Sequence, residues 1–170
     1  SIMLLTGDYH THTVYSHGKG TVLENAMQAK ALGLKEIAIT DHGFEQLAFG
    51  IKHKKMPSLI RDVKEATEKT GVQVYVGIEA NLCGENGRTD LKSEDYKDFD
   101  VFLMGIHRFV KFNNFKSWYN LFWSNYIHTA LPVKPPKKLV DYNTRAYINA
   151  IEKYPIDVVT HLNFLCFCNV

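Results

Sequence analysis

Five times along this chain a short apolar run leads to a side chain able to bind a metal. Ile2-Met3-Leu4-Leu5 leads to His10, the run from Glu36 to His42, the run from Val72 to Glu79, the run from Asp100 to His107, and the run from Ile156 to His161. Apolar runs this short, rich in β-branched residues and bounded by turn signals, read as buried strands. Between them lie helical patterns. Thr21-Val22-Leu23-Glu24 has the form of a capping box, Leu23, Ala26, Met27 and Lys30-Ala31 continue at helical spacing, and Gly33 supplies a stop. A second helix follows Pro57-Ser58, with Leu59, Ile60, Val63, Ala66 and Thr67 on one face, and ends at Gly71; a third covers Leu139 to Tyr154 and is broken by Pro155.

Strands alternating with helices imply parallel βα units. In a closed parallel barrel the carboxyl ends of all strands meet on one face. His10, His42, Glu79, His107 and His161 would converge there. One histidine at a strand end is usually structural, but core polar groups have no reason to choose the same end of every strand. Their coincidence points to a shared cation.

The first of these ends is the densest. GDYHTHTVYSHGKG, from Gly7 to Gly20, holds three histidines. His10 and His12 alternate in period 2, so an extended backbone sends both imidazoles to one side. His17 follows on a loop made pliable by Gly18 and Gly20.

Composition limits the alternatives. A chain of 170 residues with 45% apolar content is enough for one domain with a real core, and a net charge of +2 gives no global basic field for nucleic acid or membrane. Cys83, Cys166 and Cys168 are too few and too scattered for a disulfide framework, which favours a cytoplasmic location. Cys166-Phe167-Cys168 reads as core rather than as a metal pair. No run approaches the ~18 apolar residues of a membrane span.

Asp8-Tyr9-His10-Thr11-His12, Tyr15-Ser16-His17-Gly18, Thr40-Asp41-His42-Gly43, Gly77-Ile78-Glu79-Ala80-Asn81, Gly105-Ile106-His107 and Val159-Thr160-His161 come in an order that resembles the PHP family, the polymerase and histidinol phosphatase type of metal-dependent phosphoesterase. The resemblance covers essentially the whole chain. It implies an α/β fold, a distorted (β/α)7 TIM-like barrel, with residues 1–170 forming a single PHP domain close to the small phosphatase-like members. It also implies a site for up to three divalent metals, zinc, manganese or iron. By position, His10 and His12 would hold one metal, Glu79 would bridge it to a second held by His107 and His161, and His17 with His42 would hold a third. The late Asp-x-His of the family is missing before Val170, so the barrel is expected to be truncated after its fifth strand. The apolar Leu162 to Val170 is expected to be buried in a longer chain.

The function so implied is hydrolysis of a small phosphorylated substrate by a metal-activated hydroxide at a multinuclear site. Glu79 and His107 are the expected catalytic residues, with Arg108 offering a forked contact to phosphate, or else an exposed salt bridge. Asp8 and Asp41 lie next to ligand histidines and could fix a tautomer, with turn capping for Asp8 or a lysine pair for Asp41 as the alternatives. Lys52-His53-Lys54-Lys55 reads more readily as a solvated charge run than as an anion funnel, and His128 has no assigned role. Phe109, Phe112, Phe115, Trp118, Tyr119, Phe122, Trp123 and Tyr126 are expected mostly to pack on the barrel. Two rival readings remain at this point: a non-catalytic PHP-like metal-binding or regulatory domain, and an amidohydrolase, which also opens with His-x-His.

Overall fold

The computed structural model describes residues 4–131, 133–162 and 166–168. Five parallel strands, β1 (Gly7–Thr11), β2 (Glu36–Ile39), β3 (Gln73–Asn81), β4 (Val101–Gly105) and β5 (Val158–Val159), pair in sequence order and curl into half of a barrel, as the alternating pattern predicts. Glu36↔Gln73 opens the β2–β3 register and Gly77↔Val101 the β3–β4 register. β3 is the central staple, its inner residues buried on both faces as expected for a covered parallel sheet.

The helices lie between the strands. In α1 (Val22–Ala31) the expected capping box forms: Thr21 Oγ1 accepts from Glu24 N at 3.2 Å and the Glu24 carboxylate accepts from Thr21 N at 2.7 Å. α2 (Met56–Thr70) carries Pro57 in its first turn and ends at Gly71, whose left-handed φ of 74° is a conformation that suits glycine. The buried faces are slightly rotated from the sequence expectation. α1 buries Val22, Ala26 and Ala29 while Met27 is exposed, and α2 buries Met56, Leu59, Val63 and Ala66 while Ile60 is exposed. These residues and the inner face of β2 and β3 make one core cluster.

A second core cluster gathers Leu82, Met104, Ile106, Leu121, Tyr142, Ala146, Tyr147, Ala150, Cys166 and Cys168 against α5 (Lys137–Lys153). All three cysteines are buried, as the core reading of Cys166 and Cys168 expects. Of the terminal stretch, 163–165 and 169–170 lie outside the described residues. Among the described residues no helix is long and apolar enough to cross a membrane.

Two expectations are corrected. The first strand does not grow from the apolar run before it: Leu4 and Leu5 are largely exposed, and β1 begins at Gly7, because ladder pairing with Glu36 and Ile37 defines it rather than apolar burial. The aromatic segment does not mostly pack inward. α3 (Phe115–Trp118), a π-helical stretch (Tyr119–Ser124) and α4 (Asn125–Ala130) run as one helix that turns Ser117, Leu121, Ser124 and Asn125 inward and leaves Phe115, Tyr119, Trp123 and Tyr126 exposed.

Candidate metal centre

Glu79 is fully buried near the carboxyl end of β3, and five histidines surround its carboxylate. On Oε1, His161 Nε2 lies at 2.9 Å, His107 Nε2 at 3.1 Å and His10 Nε2 at 3.2 Å. On Oε2, His42 Nδ1 lies at 3.2 Å and His12 Nε2 at 3.4 Å. The five histidines come from the ends of four strands or the loops just after them, His10 and His12 from β1, His42 after β2, His107 after β4 and His161 after β5, so parallel pairing is what gathers them. The backbone tightens the arrangement. Glu79 N donates to Asp41 O at 3.0 Å and Gly43 N donates to Glu79 O at 2.9 Å, which locks His42 in register with Glu79. Thr160 Oγ1 adds a hydroxyl 3.0 Å from Glu79 Oε1.

Three overlapping groups have ligand atoms within 4.8 Å of one another: His10, His12 and Glu79; His42, Glu79 and His107; and His12, His17 and His42. His17 stands beyond the carboxylate, with its ring centroid 4.7 Å from that of His12 and 4.8 Å from that of His42. Two donors bound at about 2.0–2.2 Å to a tetrahedral ion lie roughly 3.3–3.6 Å apart, close to the spacings seen around Glu79. The donors are also left unsatisfied. His12 Nδ1, His42 Nδ1, Glu79 Oε2 and both ring nitrogens of His107 are buried with no hydrogen-bond partner among the described residues. Of these, His42 Nδ1 at 3.2 Å and His107 Nε2 at 3.1 Å come close to the Glu79 carboxylate without hydrogen-bond geometry, a combination that suits cations between them and would be costly without them.

The electrostatics keep the donors in ligand form. Burial lowers the pKa of His12 to about 4 and that of His42 to about 3, so both imidazoles are neutral near pH 7 with lone pairs available. Burial pushes the Glu79 carboxyl upward, but the ring nitrogens of His10, His107 and His161 outweigh it and hold Glu79 well below the usual carboxylate range. The hydrogen bond to Glu79 raises the pKa of His10.

Other expected residues take different places. Asp8 Oδ1 accepts from the backbone N of His10 at 3.1 Å, the turn-capping alternative. Among the described residues Asp41 hydrogen-bonds to no imidazole and pairs with no lysine: it is buried and accepts from Thr13 N at 2.7 Å, Thr13 Oγ1 at 2.6 Å and the Ser16 hydroxyl, so it braces the loop that carries His12 and His17. Arg108 forms no salt bridge among the described residues; its guanidinium lies 4.9 Å from the Tyr126 ring centroid. His53 stacks on Phe44 and faces Asp95 at 3.2 Å, and His128 is set against Val133 O. Sequence reasoning missed Phe49, whose ring centroid is 5.1 Å from those of His17 and His42 and walls that side of the centre. An isolated phenylalanine in a loop carries no signal of such a place.

Comparison with known proteins bears on this geometry. The PHP domain model matches residues 8–166. A protein named "probable phosphatase" from Caldanaerobacter subterraneus is 32% identical over 155 residues, covering 91% of this chain and 50% of its own length. A second, from Proteus mirabilis, is 31% identical over 157 residues, covering 91% of this chain and 52% of its own. This chain thus spans about half the length of the curated relatives it matches. Among solved structures, the provisionally named histidinol phosphatase HisK of Listeria monocytogenes superposes with a TM-score of 0.50 at 19% identity, over 59% of this chain and 44% of that one, a likeness of fold. A family match running from Asp8 to Cys166, over the same strand ends that assemble around Glu79, places the chain in the PHP domain family.

Proposed function

We propose that this chain carries a metal-dependent phosphoesterase centre of the phosphatase kind, acting on small phosphate monoesters. One observation carries the reading: a fully buried carboxylate with five histidine nitrogens within 3.4 Å, two of them, His42 Nδ1 and His107 Nε2, buried with no hydrogen-bond partner among the described residues, at the common end of a parallel sheet. The relatives named as phosphatases support the reaction class.

Glu79 would be the shared ligand: with His10 and His12 it could hold one cation and with His42 and His107 a second, while His12, His17 and His42 offer a third position. Histidine nitrogen with carboxylate oxygen and no cysteine suits zinc, manganese or iron in an open site. When bound, such ions supply Lewis acidity to phosphoryl oxygens and lower the pKa of water. In the reaction a water oxygen adds to phosphorus, the ester P–O bond breaks, and the alcohol leaves with a proton.

The chain's own groups prepare that step. The depressed pKa values of His12 and His42 keep protons from competing with cations, and Glu79 stays ionised. Phe49 excludes water from the His17–His42 side. Arg108 directly follows His107; with its guanidinium over the Tyr126 ring and in no salt bridge among the described residues, it would offer a forked contact to phosphate.

The test is bound metal per chain by mass spectrometry, together with turnover of p-nitrophenyl phosphate before and after chelation and with an amide substrate in parallel. Two or more cations per chain and ester turnover abolished by the chelator are expected. A chain that takes up no metal, or that cleaves the amide instead, overturns the proposal.

A further inference from the structure

We infer that Asp90 is a positioning residue for the centre: its buried carboxylate clamps the exit of β3 to the turn after β2 and so fixes His42 against Glu79. This rests on the metal-centre reading above. The chain leaves β3 at Asn81, makes an excursion and returns. Leu82 and Thr89 form an antiparallel bridge and Cys83 N donates to Arg88 O at 2.8 Å, which brings Asp90 back beside Asn81. There Asp90 Oδ1 accepts from Asn81 N at 2.8 Å, and Oδ2 accepts from Asn81 Nδ2 at 2.5 Å and from Glu45 N at 3.0 Å. Asp90 and Asn81 are both buried.

Gly43 completes the clamp. A Cβ on Gly43 would stand 2.3 Å from Asp90 Oδ2, so glycine is required by close approach and not by an unusual φ. Gly43 N is the group that donates to Glu79 O, and the residue before it is His42. Asp90 therefore supports Gly43 and Glu45 on one flank of His42 and Asn81, two residues past Glu79, on the other. It touches no ligand atom and acts through backbone. The same clamp takes up Asn81 Nδ2, and Asn81 Oδ1 is left buried with no hydrogen-bond partner among the described residues, so the amide is oriented by Asp90 at the cost of its own acceptor.

Asp95 provides the control. It too is a buried carboxylate accepting from a backbone N–H, that of Lys92 at 2.8 Å, but it faces His53 rather than the centre. Asp90→Asn preserves shape and turns an acceptor into a donor facing N–H groups. Two readouts apply: cobalt(II) affinity followed by visible absorption, and the ring NMR signals of the histidines in the metal-free chain. Asp90→Asn should weaken cobalt binding about tenfold or more and shift the His42 ring signals, whereas Asp95→Asn should change neither. Cobalt binding and His42 signals both equal to wild type would overturn the inference. If wild type binds no cobalt, the metal-centre reading fails, and the NMR comparison still decides the role of Asp90. Should Asp90→Asn not fold, the near-isosteric Asn81→Leu removes only the side-chain donation to Oδ2 and should shift the His42 signals in the same way; unchanged signals in that variant also overturn the inference.

Discussion

The rim around Glu79 and the helix from Phe115 to Ala130 invert the usual partition of side chains in opposite ways. The rim buries charge and polarity: Glu79, Asp41, Thr160, His42 and His107 are all buried. The helix exposes its largest apolar groups, with Phe115 at 75% and Tyr119 at 46%, and turns amides inward. Asn125 and Asn143 hydrogen-bond reciprocally, Nδ2 to Oδ1, at 3.1 and 2.7 Å, and fasten the helix to α5. The lesson lies in satisfaction. The buried amide pair is complete, whereas the rim leaves four ring nitrogens and a carboxylate oxygen without hydrogen-bond partners among the described residues. Satisfied buried polarity holds structure together, and unsatisfied buried polarity points to something the site is built to bind.

Glu79→Gln tests that difference most severely. It keeps the shape but removes the charge shared by both sets of histidines. Bound metal should fall by more than one ion per chain, and phosphate-ester turnover should drop by roughly a thousandfold or more, the several kcal/mol that metal polarisation contributes. Full metal content with unchanged turnover would end the bridging role.

Acid should separate the two regions next. His12 falls from 6.5 to about 4 and His42 from 6.5 to about 3, so below pH 6.5 the unfolded chain binds protons that the folded rim refuses. Glu79, held below its ordinary 4.5, acts in the same direction, because its stabilisation is lost as pH falls through its folded pKa. His10, held above 6.5, opposes them by adding stability that is lost as pH rises through its folded pKa. The metal-free chain should therefore lose roughly 2 kcal/mol per lowered imidazole between pH 6.5 and pH 4.5, visible as a lower melting temperature. A melting temperature flat across that window would contradict the buried, neutral state of these rings.

How far the sequence revealed each region follows from the same contrast. His10, His42, Glu79, His107 and His161 were legible because strand ends with ligand side chains leave a pattern in one dimension, and five parallel strands then bring them together. Phe49 and Asp90 were not legible, since each acts through a neighbour that only folding supplies: the His17 and His42 rings for Phe49, the 82–89 return for Asp90. The start of β1 was misread because apolar content suggested Leu4 and Leu5, while ladder pairing selected Gly7 to Thr11. The inward face of the aromatic helix was hidden for a related reason. Ring spacing suggested a buried stripe, but a π-helical stretch shifts the phase and Ser117, Leu121, Ser124 and Asn125 take the interior.

Thr160→Val is a finer probe of the rim. The hydroxyl lies 3.0 Å from Glu79 Oε1 and 3.2 Å from Met104 O, and a Cβ on Gly105 would come within 2.5 Å of it, so the site is shaped around that oxygen. Valine fills the same space without the donor. It should weaken cation binding about tenfold and lower stability by about 1–2 kcal/mol, read by metal titration and by a denaturant melt. Wild-type affinity would mean that Thr160 serves only Met104.

Phe115→Ala carries the smallest expected effect and bears on the other half of the comparison. The ring is 75% exposed and touches mainly its own helix, with centroids 5.3 Å from Trp118 and 6.5 Å from Tyr119. Truncation at such a surface position should change stability by less than about 0.5 kcal/mol, a shift in melting temperature under about 2 °C for a chain of this length, with cation binding unchanged. The outcome decides what holds the helix in place. If the amide pair and Leu121 anchor it, the outer rings can be removed without loss; a drop of several degrees would mean that the rings themselves carry the packing, and the contrast between satisfied amides and idle aromatics would have to be withdrawn.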